Sequence, residues 1–150
     1  MTDMTEDQKT KVARQFMDAI PHSRHLKMAL QRIDNGVAEI TMPYDAHLVG
    51  DPETGVIHGG AVSALMDTCC GAAVVSHPNV PSATATLDLR IDYMRPATPG
   101  QALFARAECY QVTRSVAFVR ALAYDDDRER AVATATGAFT VDRGLKASQP

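Results

Sequence analysis

One carboxylic acid stands inside a run that is otherwise uncharged. From Ala61 to Val75 the chain reads AVSALMDTCCGAAVV, and Asp67 is its sole charge. Burying such a group unpaired costs several kcal/mol, so Asp67 must be paired, hydrogen-bonded or functional. Directly before the run stand His58, Gly59 and Gly60. If the run is a helix, the two glycines fall in its first turn. Backbone N–H groups there have no intrahelical partner and can bind a developing negative charge. An acid and an anion-binding end on one element suit acyl-transfer chemistry.

The spacing sets a condition on that chemistry. Gly59 and Asp67 are eight residues apart in the chain, which on a helix is about 12 Å. A hydrogen bond reaches about 3 Å, so one carbonyl cannot touch both. If both act on the same carbonyl, they must come from different copies of the chain. Two antiparallel copies of the helix across a two-fold axis would bring Gly59 of one near Asp67 of the other, which makes a dimer with two shared sites.

The flanking sequence supplies elements to hold this helix. Residues Glu6 to Ile20 carry Val12, Phe16, Ala19 and Ile20 at helical spacing, with Thr5 as a possible cap and Pro21 as a stop. Leu26, Met28 and Leu30 alternate with Lys27, Ala29 and Gln31, as in a strand. Asn35-Gly36 is a hairpin signal, and Ala38, Ile40 and Met42 mark the returning strand. Pro43 to Gly55 reads as a loop. The apolar helix spans about His58 to Ser76; it is greasy nearly all round, so it should be buried on most sides, and Pro78 and Pro81 close it. Thr84 to Tyr93 alternates, with Ala85, Leu87, Leu89, Ile91 and Tyr93 as its apolar face. After the turn Pro96 to Gly100, strands follow over Ala102 to Val112, Val116 to Tyr124 and Arg130 to Val141, with Asp125 to Arg128 as an exposed turn. The order implies an α+β fold, with an antiparallel six-stranded sheet wrapped around a long central helix and an N-terminal helix.

Composition fits one domain over residues 1–150, of which 1–22 hold the N-terminal helix and 144–150 a loose tail. The chain is 45% hydrophobic and 22% charged with a net charge of −3, as for a soluble protein without a general pull toward nucleic acid or anionic membrane. The N-terminus is polar and acidic, unlike a signal peptide, and no apolar run reaches the roughly 18 residues of a membrane span. Cys69, Cys70 and Cys109 read as reduced core thiols of a cytoplasmic protein. His22, His25, His47 and His77 show no metal-ligand spacing. Gly-x-Ser-x-Gly and phosphate-loop patterns are absent.

Three stretches together resemble a known family: Gly55-Val56-Ile57-His58-Gly59-Gly60, Asp67 nine residues after the histidine, and Asp88-Leu89-Arg90-Ile91-Asp92-Tyr93-Met94-Arg95-Pro96-Ala97. They are similar to the hotdog-fold acyl-CoA thioesterases of the phenylacetate-degradation (PaaI-like) type, and the resemblance covers roughly Val37 to Val141. It implies hydrolysis of an acyl-CoA thioester to a free acid and coenzyme A, without metal or redox cofactor. In that family pattern Asp67 is the catalytic carboxylate, as general base or nucleophile. The Gly59 N–H, with Gly60 beside it, polarises the thioester carbonyl. Thr86 falls where relatives hold the attacking water with a hydroxyl, and His58 orients the loop near the carbonyl. An Asn that helps the carbonyl in relatives is replaced here by Pro52, which has no donor; Asp51 or His47 could stand in. Arg95 and Arg114 are candidates to bind the phosphates of coenzyme A. The resemblance also implies a dimer or a dimer of dimers. Two rivals are a dehydratase or hydratase of the same fold, whose His–acid motif is not found, and a non-catalytic acyl-CoA-binding module.

Overall fold

A computed structural model describes residues 6–80 and 83–142, apart from the side chains of Glu6, Lys9, Thr10, Val12 and Phe16. Thr5, Pro81, the tail over 144–150 and the apolar spacing of Val12 and Phe16 therefore lie outside the described residues. Helix α1 spans Glu6–Ala19 and a short α2 spans Pro21–His25. Pro21 stops one helix and opens the next, at a position where its missing N–H is not needed. The turn that follows carries Lys27 at φ 54°, so strand β1 begins at Ala29 rather than at Leu26 and runs over Ala29–Asp34. Strand β2 is Val37–Met42. Between them Asn35 (φ 38°) and Gly36 (φ 89°) both take positive φ, the requirement of the tight hairpin turn that their sequence signals.

The segment read as a loop holds more structure than its composition signals. Asp45 caps a single 3-10 turn, Ala46–Leu48, by accepting the His47 N–H at 2.9 Å. Strand β3 (Val49–Asp51) then pairs with β4 (Val56–Ile57), and the His58 N–H donates to the Leu48 carbonyl at 2.8 Å. These bonds fix the approach to helix α3, Gly59–Ser76. Strands β5 (Thr86–Tyr93), β6 (Leu103–Val112), β7 (Val116–Tyr124) and β8 (Ala133–Thr140) follow.

The main sheet is antiparallel throughout, in the order β1-β2-β6-β7-β8-β5. Its inner face is built largely from small residues: Ala105 and Ala107 on β6, Ala117, Ala121 and Ala123 on β7, Ala133 and Ala135 on β8, all buried. Small side chains let the sheet close tightly on α3, which contributes Val62, Leu65, Met66, Cys69, Cys70, Ala73 and Val74 to the core. The Cys69 thiol reaches the carbonyls of Ala38 and Ala105 at 3.3 and 3.5 Å. Burial pushes all three thiols up, Cys70 to about 12, so they are protonated packing groups. By its 18 residues and hydropathy of 1.3, α3 is long and apolar enough to cross a bilayer; half of it is buried inside the sheet, as befits a core helix.

Burial of α3 is nevertheless incomplete. Ser63, Ala64, Asp67, Thr68, Gly71 and Val75, spaced by three and four, form a half-open stripe. Strand β5 also departs from its alternating pattern. Its register against β8 slips between Thr86 and Asp88. This bulge turns Leu87 outward, to 57% exposure, while Leu89 and Ile91 pack on the core. The expected apolar face of this strand is thus broken at Leu87.

Candidate active site

The start and the middle of α3 carry the candidate groups. At its start, His58 is the N-cap: its Nδ1 accepts the Gly60 N–H at 2.8 Å, and its carbonyl takes the Ala61 N–H at 3.0 Å. The acceptor role of Nδ1 puts the ring proton on Nε2. A Cβ on Gly60 would stand 2.9 Å from that Nδ1, so the cap needs glycine there. The Gly59 N–H has neither of these partners and sits at the positive end of the helix dipole. Its carbonyl lies within hydrogen-bond reach of Tyr93 Oη at 2.8 Å and Ser63 Oγ at 3.1 Å, and the two hydroxyls are within reach of each other, so two hydroxyl protons are shared among three contacts. Neither Tyr93 nor Ser63 has a role at the site in the sequence pattern; the tyrosine stands there in the stretch that carries the resemblance and on the apolar face of a strand, and its placement against Gly59 depends on the register of β5.

Two turns on, Asp67 Oδ1 accepts from Thr86 Oγ1 at 2.7 Å. The β5 bulge makes this contact: it places Thr86 on the helix side of the strand, where strict alternation would have placed Leu87. The carboxylate is half-buried and its partner is a neutral hydroxyl, so its charge is not cancelled by that bond. Both residues line a cavity of about 740 Å³ between α1, β1, α3 and the start of β5. A carboxylate held by one hydroxyl, on the wall of a largely apolar cavity, can take a proton from water or attack an acyl carbon.

The other candidates are dispersed. Arg95 does not offer itself to a phosphate. Its NH1 and NH2 reach Asp125 at 2.7 Å each, and its remaining donors go to the carbonyls of Arg130 and Pro96. Asp125, read from the sequence as part of an exposed turn, is fully buried and also accepts from the Thr98 backbone and hydroxyl and from the Asp127 N–H. Arg95 is a structural clamp. Arg114 is exposed in the β6–β7 turn and does not line the cavity, although Ser115 beside it accepts from Val141, at the end of the sheet where β5 begins. Asp51 is occupied by Thr54 Oγ1 and the Glu53 N–H, which hold its carboxyl below the usual range. His47 lies against Asp45 with its side chain 94% exposed. Neither is aimed at the Gly59 N–H by these contacts, and Pro52 sits in the same turn as Asp51. Among the described residues, no three His, Cys, Asp or Glu side chains are grouped to hold a metal ion.

Residues 54–132 match the model of the thioesterase superfamily. The medium/long-chain acyl-CoA thioesterase YigI of Escherichia coli is 26% identical over 152 residues, covering 92% of this chain and 97% of that protein. A crystal structure from Pseudomonas aeruginosa is 41% identical, with a TM-score of 0.78 over 88% of this chain and 98% of the other. The PaaI protein of the Escherichia coli phenylacetic acid degradation operon shares the fold at a TM-score of 0.81, over 95% and 99% of the two chains, with 20% identity.

Proposed function

Because the chain belongs to the thioesterase superfamily, a family of hydrolases acting on thioesters, we propose that it is an acyl-CoA thioesterase in which Asp67 of one subunit and Gly59 of a second act on the same thioester. The observation that carries this reading is the Asp67–Thr86 bond on the cavity wall. Asp67 takes a proton from a water molecule, and the oxygen adds to the thioester carbonyl carbon. The carbonyl oxygen becomes an oxyanion, which the Gly59 N–H of the partner subunit stabilises at the positive end of its helix. The tetrahedral intermediate collapses, the carbon–sulfur bond breaks, and the leaving thiolate of coenzyme A takes up the proton. Thr86 orients the carboxylate, and His58 shapes the first turn so that the Gly59 N–H faces the carbonyl. The acyl-CoA substrate class is supported by the activity named for YigI.

A paired assembly has separate support. Strand β5 is an edge of the main sheet, and Leu87, Tyr93 and Met94 on or next to it are 57%, 52% and 63% exposed. An open edge with apolar residues invites a second copy. The test of the chemistry is hydrolysis of a panel of acyl- and aryl-CoA thioesters, followed by release of free thiol, with Asp67→Asn beside the unaltered protein. The expected loss in kcat is about 10²–10⁴-fold, the range for removing a general base. Full activity in the variant overturns the role of Asp67, and binding without turnover in the unaltered protein favours the non-catalytic module.

A further inference from the structure

Gly71 stands in the middle of α3, one turn beyond Asp67. Apart from proline, glycine is the poorest residue for a helix interior, so its presence there asks for a cause. Close packing within the chain is not the cause: among the described residues a Cβ built on Gly71 would meet nothing nearer than Phe139 Cε1 at 3.9 Å. Backbone conformation is not the cause either, since Gly71 is helical and is not among the glycines with positive φ. Among the described residues, what lies over Gly71 is a cavity. Gly71 lines this 740 Å³ cavity together with Asp67, Thr68, Ala72 and Val75 of α3, and Met17 of α1 faces that same cavity.

We propose that Gly71 is a specificity-determining residue: by carrying no side chain it keeps open a channel along α3 for a straight acyl chain of about ten carbons, with Met17 as the outer wall. The length follows from geometry. Asp67 to Val75 is about 12 Å along the helix. An extended alkyl chain with ordinary bond lengths and angles advances about 1.25 Å per carbon. Val75 is followed by Ser76, whose hydroxyl accepts the Gly36 N–H at 2.9 Å, so the β1–β2 hairpin closes that end. The proposal rests on the thioesterase reading only for where the carbonyl sits, at Asp67.

The experiment compares saturated straight-chain acyl-CoA thioesters of four to sixteen carbons, using kcat/KM for hydrolysis and calorimetric binding of the matching non-hydrolysable thioethers. The unaltered protein should prefer about ten carbons. Gly71→Val puts a side chain about 6 Å beyond Asp67, so its optimum should move to about five or six carbons. The ratio of short- to long-chain kcat/KM should rise ten-fold or more, each methylene denied its apolar lining being worth about four-fold. Met17→Ala removes wall instead of adding it, and should move the ratio the other way. Gly71→Ala should raise Tm, because it removes a helix glycine where a methyl group has room. An optimum that stays put in both channel variants, or activity that falls by one factor at every length, overturns the channel. Cleavage with an unmoved profile sinks the channel alone, whereas shifted thioether binding without any cleavage sinks the hydrolysis reading and leaves the channel standing.

Discussion

Asp125 accepts two hydrogen bonds from Arg95 and two from Thr98, while Asp67 accepts one from Thr86. The first carboxylate is committed to structure by a fixed cation; the second keeps lone pairs and charge for a reacting molecule. The Arg95 guanidinium holds the Asp125 carboxyl well below the usual carboxylate range, against a burial effect that acts the other way. Because the folded-state value is depressed, the stabilisation is complete above the unfolded value of about 3.9 and is lost as pH falls below about 4. Asp125→Asn leaves the Arg95 charge without its partner in a site of low exposure, at an expected cost of about 3–5 kcal/mol. Thermal unfolding followed from pH 7 to pH 2 checks both parts. The variant should melt lower at neutral pH, and its Tm should fall less steeply than that of the unaltered protein below about pH 4. Equal slopes would show that another carboxylate governs the acid limb.

Among the secondary-structure elements, the strand that carries Thr86 is the one whose sequence pattern misleads. Ala85, Leu87, Leu89, Ile91 and Tyr93 alternate without a break, and the alternation conceals the bulge that turns Leu87 out and Thr86 in. The cause lies on the neighbouring strand. Gly137 pairs with Leu89, and a Cβ there would stand 2.8 Å from the Asp88 carbonyl oxygen and 2.9 Å from Leu89 Cδ1. The bulged backbone fits only over a glycine. Gly137→Ala should therefore cost about 1–3 kcal/mol, as overpacking does, and should lower kcat by pulling Thr86 from Asp67. Denaturant melts and steady-state rates measure the two effects, and a stability loss with kcat intact would separate the bulge from the site. Local signals were legible wherever the cause was local: the Asn35-Gly36 turn, the glycine cap after His58, and the apolar length of α3 could all be read in the chain. The bulge, the Tyr93 contact with Gly59 and the burial of Asp125 by Arg95, thirty residues away, were not, because each depends on which distant residue arrives opposite. Three successive aspartates at 125–127 look alike in sequence; only the fold selects one for the interior.

At the scale of the whole molecule, the proposed chemistry is divided between copies by the length of the helix. Gly59 and Asp67 lie on one straight α3, about 12 Å apart along its axis, so neither can serve the carbonyl that the other serves within one chain. This arrangement can be tested by mixing two variants that are each inactive. Asp67→Asn removes the carboxylate. Gly59→Pro removes the backbone donor alone: proline is well tolerated at the first helical position, and the preceding His58, at φ −60° and ψ 135°, already has the conformation that a following proline requires. Its ring would meet Tyr93 at ordinary contact distance, since a Cβ on Gly59 lies 3.4 Å from that ring. In a mixed dimer one site inherits both defects and the other inherits neither. If subunits exchange at random, half the dimers are mixed and each has one intact site of two, so activity should return to about a quarter of the unaltered level. The homodimers of each variant should stay inactive under the same exchange conditions. A site contained within one chain predicts no recovery at any mixing ratio, and the absence of recovery after exchange has been demonstrated by mass spectrometry would refute the shared site while leaving the Asp67 chemistry to stand on its own test.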